Sequence, residues 1–306
     1  MLSLEQLAVR AGVPSGDSTT CTLLKGGLSH RIIRADVDDH SYLVRVLDPA
    51  VSEAGLGIPL EQEIENTVRA ARTGVGPRVF NVAAPSMVLE YLDADTLSAR
   101  DVRDPGTIPR IALACRRLHT RAEPFVNDFD IFRKAEELLS LCHRHELRIP
   151  DGYPDHRAVI AEIERALRRR PLPRVPCHND LLPENFMDDG TDIRIIDYQL
   201  SGMNDPAFEL GDIAAEADYS PDLVEALVKA YFGGAMSDAL LARARLYLVA
   251  SNYAWTLWFS VHHGLLSRGG TDFDYWAEAA DKWAQAVRDL ESAELGGLID
   301  AVGGPQ

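Results

Sequence analysis

Residues 176–216 read PCHNDLLPENFMDDGTDIRIIDYQLSGMNDPAFELGDIAAE, and the rest of the chain is best interpreted from this stretch. Asp180 lies in a short apolar loop, Asn185 follows five positions later, and Asp197 ends the β-rich run IRIID. An Asp-Asp-Gly turn signal between them predicts a hairpin. If its turn is centred near residue 191, Asn185 and Asp197 face each other, because cross-strand partners share a constant sum of residue numbers.

The polar side chains of this stretch suit phosphoryl transfer. Mg²⁺ prefers hard oxygen ligands, so the Asn185 amide oxygen and the Asp197 carboxylate predict a nucleotide-linked Mg²⁺ site. Asp180 is then free to orient an attacking hydroxyl and to accept its proton. His178 joins Asp180 as a catalytic candidate, although its ring could instead only hydrogen-bond the loop backbone. The alternative for the whole stretch is an ordinary loop and hairpin with solvated carboxylates, since Asp and Asn are common turn residues.

The motif also resembles a known family. His-Asn-Asp-x-x-x-x-Asn at 178–185, followed by Ile-Asp-Tyr at 196–198, resembles the catalytic loop and metal-binding Asp of protein-kinase-like small-molecule kinases. Choline/ethanolamine kinases are the most similar, aminoglycoside phosphotransferases are more distant, and the resemblance runs from about residue 22 to 290. It implies an α+β, protein-kinase-like fold. A small antiparallel β-sheet lobe at 1–92 would bind nucleotide, and a larger, mainly helical lobe at 93–306 would hold the catalytic and acceptor-binding residues.

Length and composition predict a globular protein with a substantial core. The chain has 306 residues, 46% of them apolar, and four cysteines without paired spacing. No apolar run approaches the ~20 residues of a membrane span, and no charged-then-apolar leader follows Met1. We therefore expect a reducing, cytoplasmic location. Cys142, His143 and His145 do not predict zinc, because helical neighbours at these spacings do not converge tetrahedrally.

The formal net charge of −16 bears on possible partners. A protein that tracks nucleic-acid phosphates needs basic stripes, so this charge argues against a nucleic-acid partner. It suits a small, cationic, hydroxyl-bearing substrate. It is also compatible with a solvating surface that binds nothing cationic.

The amino-terminal part of the chain predicts a sheet with helices beside it. The predicted elements are a capped helix at 3–11, an antiparallel meander at 19–24, 31–37 and 41–47, a helix at 60–73, and strands at 78–82 and 87–91. The 60–73 helix shows one apolar stripe at steps of four, three and four, made of Ile64, Val68, Ala71 and Val75.

The first turn of the meander contains a candidate phosphate loop. Gly26 and Gly27, followed by Ser29, resemble the phosphate-covering loop of choline-kinase-like enzymes, in which glycines let backbone amides approach phosphates. His30 stands where that family often has Asn. On their own, two glycines at a turn indicate a plain hairpin.

Arg45 is the candidate cation for the nucleotide. It lies in the apolar strand YLVRVL, and a guanidinium can grip phosphate oxygens at two points. The resemblance implies that Arg45 contacts the α/β-phosphates, that Glu63 is its ion-pair partner, and that adenine pairs with the hinge backbone at Glu90 and Leu92. Taken alone, Arg45 could be a surface charge on an edge strand, and Glu63 a solvated acid on a helix face.

The acceptor signal lies in the last long helices. SNYAWTLWFSVHHG places Trp255 and Trp258 on one helical face, a pattern that usually indicates core packing. The resemblance implies an acceptor pocket instead, with Tyr275 seventeen positions after Trp258 and Glu216 at the end of FELGDIAAE. An aromatic cage suits a quaternary ammonium, because each ring face stabilises the bound cation by ~1 to 2 kcal/mol.

Three positions depart from the family pattern. Choline kinases typically have Glu-Tyr where this chain has Gln199 and Leu200, and animal choline kinases have a polar residue at Leu182. We expect Gln199 in the acceptor site, where the loss of a carboxylate weakens either a second metal site or the attraction for a cationic group. The predicted reaction is transfer of the ATP γ-phosphoryl group, with Mg²⁺, to the hydroxyl of choline or a related amino alcohol. The alternatives are an antibiotic or amino-sugar O-phosphotransferase and a catalytically silent nucleotide-binding scaffold.

Overall fold

A five-stranded antiparallel sheet occupies the amino-terminal part of the chain, and helices make up most of the carboxy-terminal part. The computed structural model describes residues 2–14, 16–24, 30–266 and 273–303. Gly26, Gly27 and Ser29, the predicted phosphate loop, lie outside the described residues. The arrangement confirms the predicted α+β class with a small antiparallel sheet.

The strands follow the predicted meander, with bounds shifted by at most one residue. The strands of the large sheet are β1 (Thr19–Leu23), β2 (Arg31–Val37), β3 (His40–Val46), β4 (Val79–Ala83) and β5 (Ser86–Glu90). The shorter strands are β6 (Asp95–Thr96), β7 (Val175–Cys177), β8 (Phe186–Asp188), β9 (Ile193–Ile195) and β10 (Gly202–Asn204). The large sheet has the order β1-β2-β3-β5-β4, while β6-β8-β9 and β10-β7 form two small sheets.

Most of the helices belong to the carboxy-terminal part, while the first packs against the large sheet. They are α1 (Leu4–Ala11), α2 (Pro49–Glu53), α3 (Leu60–Arg72), α4 (Ala99–Val102), α5 (Ile108–Arg121), α6 (Ile131–Arg144), α7 (Arg157–Arg169), α8 (Pro206–Glu216), α9 (Pro221–Phe232), α10 (Asp238–Leu265), α11 (Tyr275–Leu290) and α12 (Leu295–Gly303). As predicted, Ser3 caps α1, and Gln6 completes a capping box. Within the described ranges, no helix has the length and apolarity needed to cross a membrane.

Arg45 does not lie on an edge strand. Strand β3 is hydrogen-bonded to β2 on one side and to β5 on the other, and Arg45 pairs with Ile32 and Met87 in the two ladders. Its side chain is only 7% exposed. The surface-charge interpretation of Arg45 is therefore wrong, because a cation at the centre of a sheet and out of water requires acidic partners.

The buried face of α3 is polar. The apolar stripe seen in the sequence is half-buried along the helix, and the helix residues that are fully buried are Glu63, Asn66, Thr67 and Ala70. The Asn66 amide donates to the Asn127 side chain at 2.8 Å, and the Thr67 hydroxyl donates to the Glu63 carbonyl at 2.7 Å. Each buried polar group thus has a partner, which allows α3 to turn this face inward.

The β8–β9 hairpin forms, but its register differs by one residue from the expected one. Phe186 pairs with Ile195, and the Ile196 N–H donates to the Asn185 carbonyl at 3.0 Å. Asn185 therefore faces Ile196, and the predicted pairing of Asn185 with Asp197 is wrong. Asp197 lies beyond the ladder with φ of 69°, in the left-handed region, and this backbone conformation turns its side chain out of the strand alternation.

Helix α10 forms the centre of the helical part and packs against α6, α8, α11 and α12. Its crossing with α8 is close at Gly211, where an added Cβ would lie 2.5 Å from the Ala244 carbonyl oxygen and 2.7 Å from the Leu248 nitrogen. Both neighbours are backbone atoms, so they cannot move aside as a flexible side chain can. A residue without a Cβ is what lets α8 approach α10 this closely.

We expect Gly211→Ala to lower the free energy of unfolding by roughly 1 to 3 kcal/mol, because the new methyl group overpacks the α8–α10 contact. Gly296→Ala is the matched control, since an added Cβ there meets no atom within 4 Å and lies in a helix. Alanine at this position should leave the free energy of unfolding unchanged or raise it by about 1 kcal/mol. Thermal and urea unfolding of both variants would measure the difference, and equal stabilities would contradict the close-contact explanation.

Candidate active site

The loop after β7 is held by two acids of α8. The Glu209 carboxylate accepts the backbone N–H groups of His178 and Asn179, each at 2.8 Å. One helical turn further on, the Asp212 carboxylate accepts the backbone N–H of Leu181, also at 2.8 Å. Three backbone donors of the loop are therefore bound to carboxylates on one rigid helix, which fixes the position of Asp180 between them.

Glu209 also closes a buried cluster with His119 and Cys177. The Glu209 carboxylate lies 3.2 Å from the His119 ring, whose other nitrogen lies 2.7 Å from the Tyr231 hydroxyl. The three ligand-type atoms are close enough to hold a metal ion. However, both Glu209 oxygens already accept loop N–H groups, and burial raises the pKa of the Cys177 thiol well above its usual value. We therefore interpret the cluster as support for the loop rather than as a metal site.

His178 is buried and contacts backbone with both ring nitrogens. Its Nε2 lies 2.8 Å from the Ile196 carbonyl, and its Nδ1 accepts the Asp180 N–H at 3.3 Å. Burial lowers the pKa of His178 below its ordinary value, which favours the neutral ring. It is not among the described residues that line the two cavities beside this loop. Its position ties the loop to the β8–β9 hairpin.

Asp180 and Asn185 are joined through the loop. The Asn185 amide N–H donates to the Asp180 backbone carbonyl at 2.7 Å, which orients the amide so that its oxygen points away from that bond. Burial raises the pKa of the Asp180 carboxyl well above its usual range, and the nearby negative charges of Asp212 and Glu216 raise it further. Asp180 therefore holds a proton more readily than an ordinary aspartate does.

A second charge cluster lies on the sheet side. The Arg45 guanidinium lies 3.1 Å from Glu63 and forms a short ion pair with Asp197. Burial alone would raise the pKa of Asp197, but Arg45 outweighs that effect and holds it below the ordinary value. The His30 ring, which accepts the Asp48 N–H with its other nitrogen, lies 3.4 Å from Glu63. The expected pairing of Arg45 with Glu63 is present in the structure.

Two cavities lie on either side of Asn185 and Asp197. The sheet-side cavity measures about 400 Å³, and its lining includes Arg45, Glu90, Leu92 and apolar side chains of the large sheet. The helix-side cavity measures about 480 Å³, and its lining includes the residues Asp180, Gln199, Glu216, Trp255, Trp258 and Lys282. Both cavities are lined by Glu184, Asn185 and Asp197. A group bound in one cavity can therefore meet a group bound in the other at Asn185 and Asp197.

The predicted acceptor residues fall into two sets. Trp255, Trp258, Gln199 and Glu216 line the helix-side cavity. The Trp255 indole donates to Asp212 at 2.8 Å, and the Trp258 indole and Gln199 amide both donate to the Leu56 carbonyl. Tyr275 is not among the described lining residues. It is buried behind them and stacks on His262, with ring centroids 3.9 Å apart.

Sequence reasoning missed two residues of the site, Glu209 and Lys282. Glu209 was detectable as one of three acids in a helix whose other residues are apolar, glycine or proline. Lys282 was detectable as a cation on the apolar face of α11, whose other buried residues are Tyr275, Ala279, Ala286 and Leu290. Ionisable groups at core positions are rare unless they are paired, so each marks a partner nearby.

Known proteins resemble this chain along most of its length. The sequence model of the choline/ethanolamine kinase family matches residues 21–231. Protein LicA of Haemophilus influenzae is 26% identical over 78% of this chain and 73% of its own length. Probable choline kinase 2 of Arabidopsis thaliana is 27% identical over 86% and 83%. A solved choline/ethanolamine kinase family protein from Mesorhizobium loti is 30% identical, covers 98% of both chains and superposes with a TM-score of 0.83.

Glu209→Gln should uncouple the loop from α8, because an amide places N–H donors against one of the backbone N–H groups that the carboxylate accepts. We expect a loss of about 3 kcal/mol in unfolding free energy and a lower kcat, with little change in nucleotide affinity. Glu225→Gln, the same change at an exposed position of α9, is the control. Urea unfolding and steady-state kinetics would test this, and equal stability of the two variants would refute the anchoring role.

Proposed function

The chain belongs to the choline/ethanolamine kinase family and is a phosphotransferase that acts on an alcohol group, and we propose that it transfers the γ-phosphoryl group of ATP to the hydroxyl of an amino alcohol related to choline. One observation carries this proposal. The sheet-side and helix-side cavities meet at Asn185 and Asp197, with Arg45 in one and Asp180 in the other. A phosphoryl donor and an alcohol bound in the two cavities would have their reacting atoms at this junction.

The nucleotide binds in the sheet-side cavity. Leucine side chains of the sheet give the adenine an apolar slot, and the backbone at Glu90 and Leu92 is the polar edge available to it. Arg45, held by Glu63, contacts the α/β-phosphates with its guanidinium. Residues 1–92 then act as the nucleotide-binding lobe, and residues 93–306 contribute the catalytic and acceptor-binding groups.

Asn185 and Asp197 are suited to hold Mg²⁺. An amide oxygen and a carboxylate are the hard oxygen donors this ion prefers, and the Asn185 amide is oriented with its nitrogen toward the loop, which leaves its oxygen for the ion. The low pKa of Asp197 keeps its carboxylate ionised across the physiological range. When bound, the ion supplies positive charge that neutralises the phosphate oxygens.

The acceptor binds in the helix-side cavity with its hydroxyl against Asp180. Asp180 orients the hydroxyl and accepts its proton as the oxygen attacks the γ-phosphorus, which matches the raised pKa of this carboxyl. Trp255 and Trp258 offer aromatic surface for the alkyl part of an amine. The acidic groups that line the cavity favour a cationic acceptor.

Asp180→Asn should reduce kcat by about a hundredfold or more, because an amide cannot accept the hydroxyl proton, while the affinity for the nucleotide stays close to that of the wild type. Asp189→Asn is the control, since Asp189 lies exposed in the hairpin turn and an amide oxygen can still accept the Thr191 N–H. ADP release with a panel of hydroxylated amines, together with nucleotide titration, would measure both effects. Full turnover by Asp180→Asn would disprove the assignment of the base.

The raised pKa of Asp180 predicts how turnover depends on pH. The base works as a carboxylate, so kcat/KM should fall as the pH drops through the raised pKa, at a pH well above the usual range of an aspartate. Glu216→Gln should move this acid limb to lower pH, because the negative charge of Glu216 raises the pKa of Asp180. A pH–rate profile of both proteins would measure the shift. A limb that stays in place or moves to higher pH would contradict it.

A further inference from the structure

An ion pair occupies the floor of the helix-side cavity. The Lys282 ammonium lies 2.9 Å from the Glu216 carboxylate, and their side chains are only 6% and 4% exposed. Both residues line the cavity that contains Asp180. The Glu216 carboxylate is therefore already neutralised by a cation of the protein itself.

Two acceptors of α8 hold Lys282 in this position. It projects from the buried face of α11, and its ammonium donates to the Ala215 carbonyl at 3.1 Å as well as contacting Glu216. An ammonium has three N–H donors, and these two acceptors of α8 use two of them. The third donor is left for a group bound in the cavity that Lys282 lines.

The pair changes what the cavity floor can bind. A substrate ammonium that approached Glu216 would meet the positive charge of Lys282 at the same carboxylate, with little water to screen the repulsion. A quaternary ammonium could not replace the Lys282 contacts either, because it has no N–H to donate to Glu216 or Ala215. The floor is suited to an uncharged group with an oxygen that accepts a hydrogen bond.

Two further acidic residues lie beside Lys282 on α11. Glu278 and Asp281 both line the cavity, and Glu278 is half-buried while Asp281 is exposed. They are three positions apart and so share one helix face. Among the described residues neither carboxylate forms an ion pair, so a cationic group held there would not compete with Lys282 for Glu216.

We propose that Lys282 is the specificity-determining residue of the acceptor cavity. It fills the place that a substrate cation would take against Glu216, and so selects acceptors that are uncharged near the reacting hydroxyl and carry their ammonium at Glu278 and Asp281. This inference rests on the proposed function for the location of the acceptor. The acceptor is therefore an amino alcohol whose nitrogen is farther from its hydroxyl than the two carbons of choline.

Choline binding to the full chain tests this charge effect without requiring turnover. Calorimetric titration compares choline with its uncharged isostere, in which carbon replaces nitrogen. The wild type should bind both about equally weakly. Lys282→Ala removes the internal cation and opens space beside Glu216, so it should bind choline about tenfold or more tightly than the isostere.

Three further variants separate charge from shape. Lys282→Arg keeps the cation and should bind choline as weakly as the wild type. Lys282→Ala combined with Glu216→Gln has no carboxylate to attract choline and should lose the gain. Lys282→Gln keeps two N–H donors for Glu216 and Ala215 and so protects the fold if Lys282→Ala is unstable. It should show the preference for choline in the same direction, and choline should raise its Tm.

Two results would overturn the inference. One is tight choline binding by the wild type, and the other is the absence of any gain in both Lys282→Ala and Lys282→Gln. Phosphorylation of amino alcohols of increasing length by the wild type should favour those longer than choline, and a preference for the two-carbon members would also overturn it. If no alcohol is phosphorylated, the proposed function fails, while the choline titrations still decide the role of Lys282.

Discussion

The site depends on the hydrogen bonds between carboxylates of α8 and the backbone of the loop that carries Asp180. Glu209 and Asp212 are fully buried, and a buried charge is costly unless hydrogen bonds replace its water. Backbone N–H groups of the loop supply those bonds, so the loop and the helix stabilise each other. Gly211, between the two acids, lets α8 lie against α10, where the Ser251 hydroxyl and the Trp255 indole donate to Asp212.

The carboxylates around the reaction centre have different pKa values because their neighbours differ. Asp197 lies against Arg45, whose positive charge lowers the pKa of Asp197. Asp180 is buried and lies near other carboxylates, and both effects raise its pKa. Burial and Glu216 also raise the pKa of Asp212, to about 7. Groups with separated pKa values can take separate roles, so Asp197 suits a permanent anion that holds a cation and Asp180 suits a base that gains a proton.

Local patterns predicted the elements better than they predicted the contacts. The N-cap of α1, the meander and the hairpin follow from capping residues, turn residues and side-chain alternation, which act over a few neighbours. The hairpin register differed by one residue because the four-residue loop 189–192 is centred only half a position before residue 191, and the turn signal fits both centres. The polar inner face of α3 was not predictable, since Asn66 is satisfied by Asn127, about sixty positions away in the chain.

The sequence by itself determined the fold class, the family and the spacing of Asp180, Asn185 and Asp197, because these depend on residue types at short separations along one stretch. Only the tertiary structure decided that Arg45 is central and buried, that His178 contacts backbone on both sides, and that Lys282 neutralises Glu216. The contacts of Arg45 and Lys282 join segments far apart in the chain, and the His178 ring reaches Ile196 beyond the hairpin turn. The energy of a buried charge depends on the partner that the fold brings to it, and that partner is not encoded in the spacing of its neighbours.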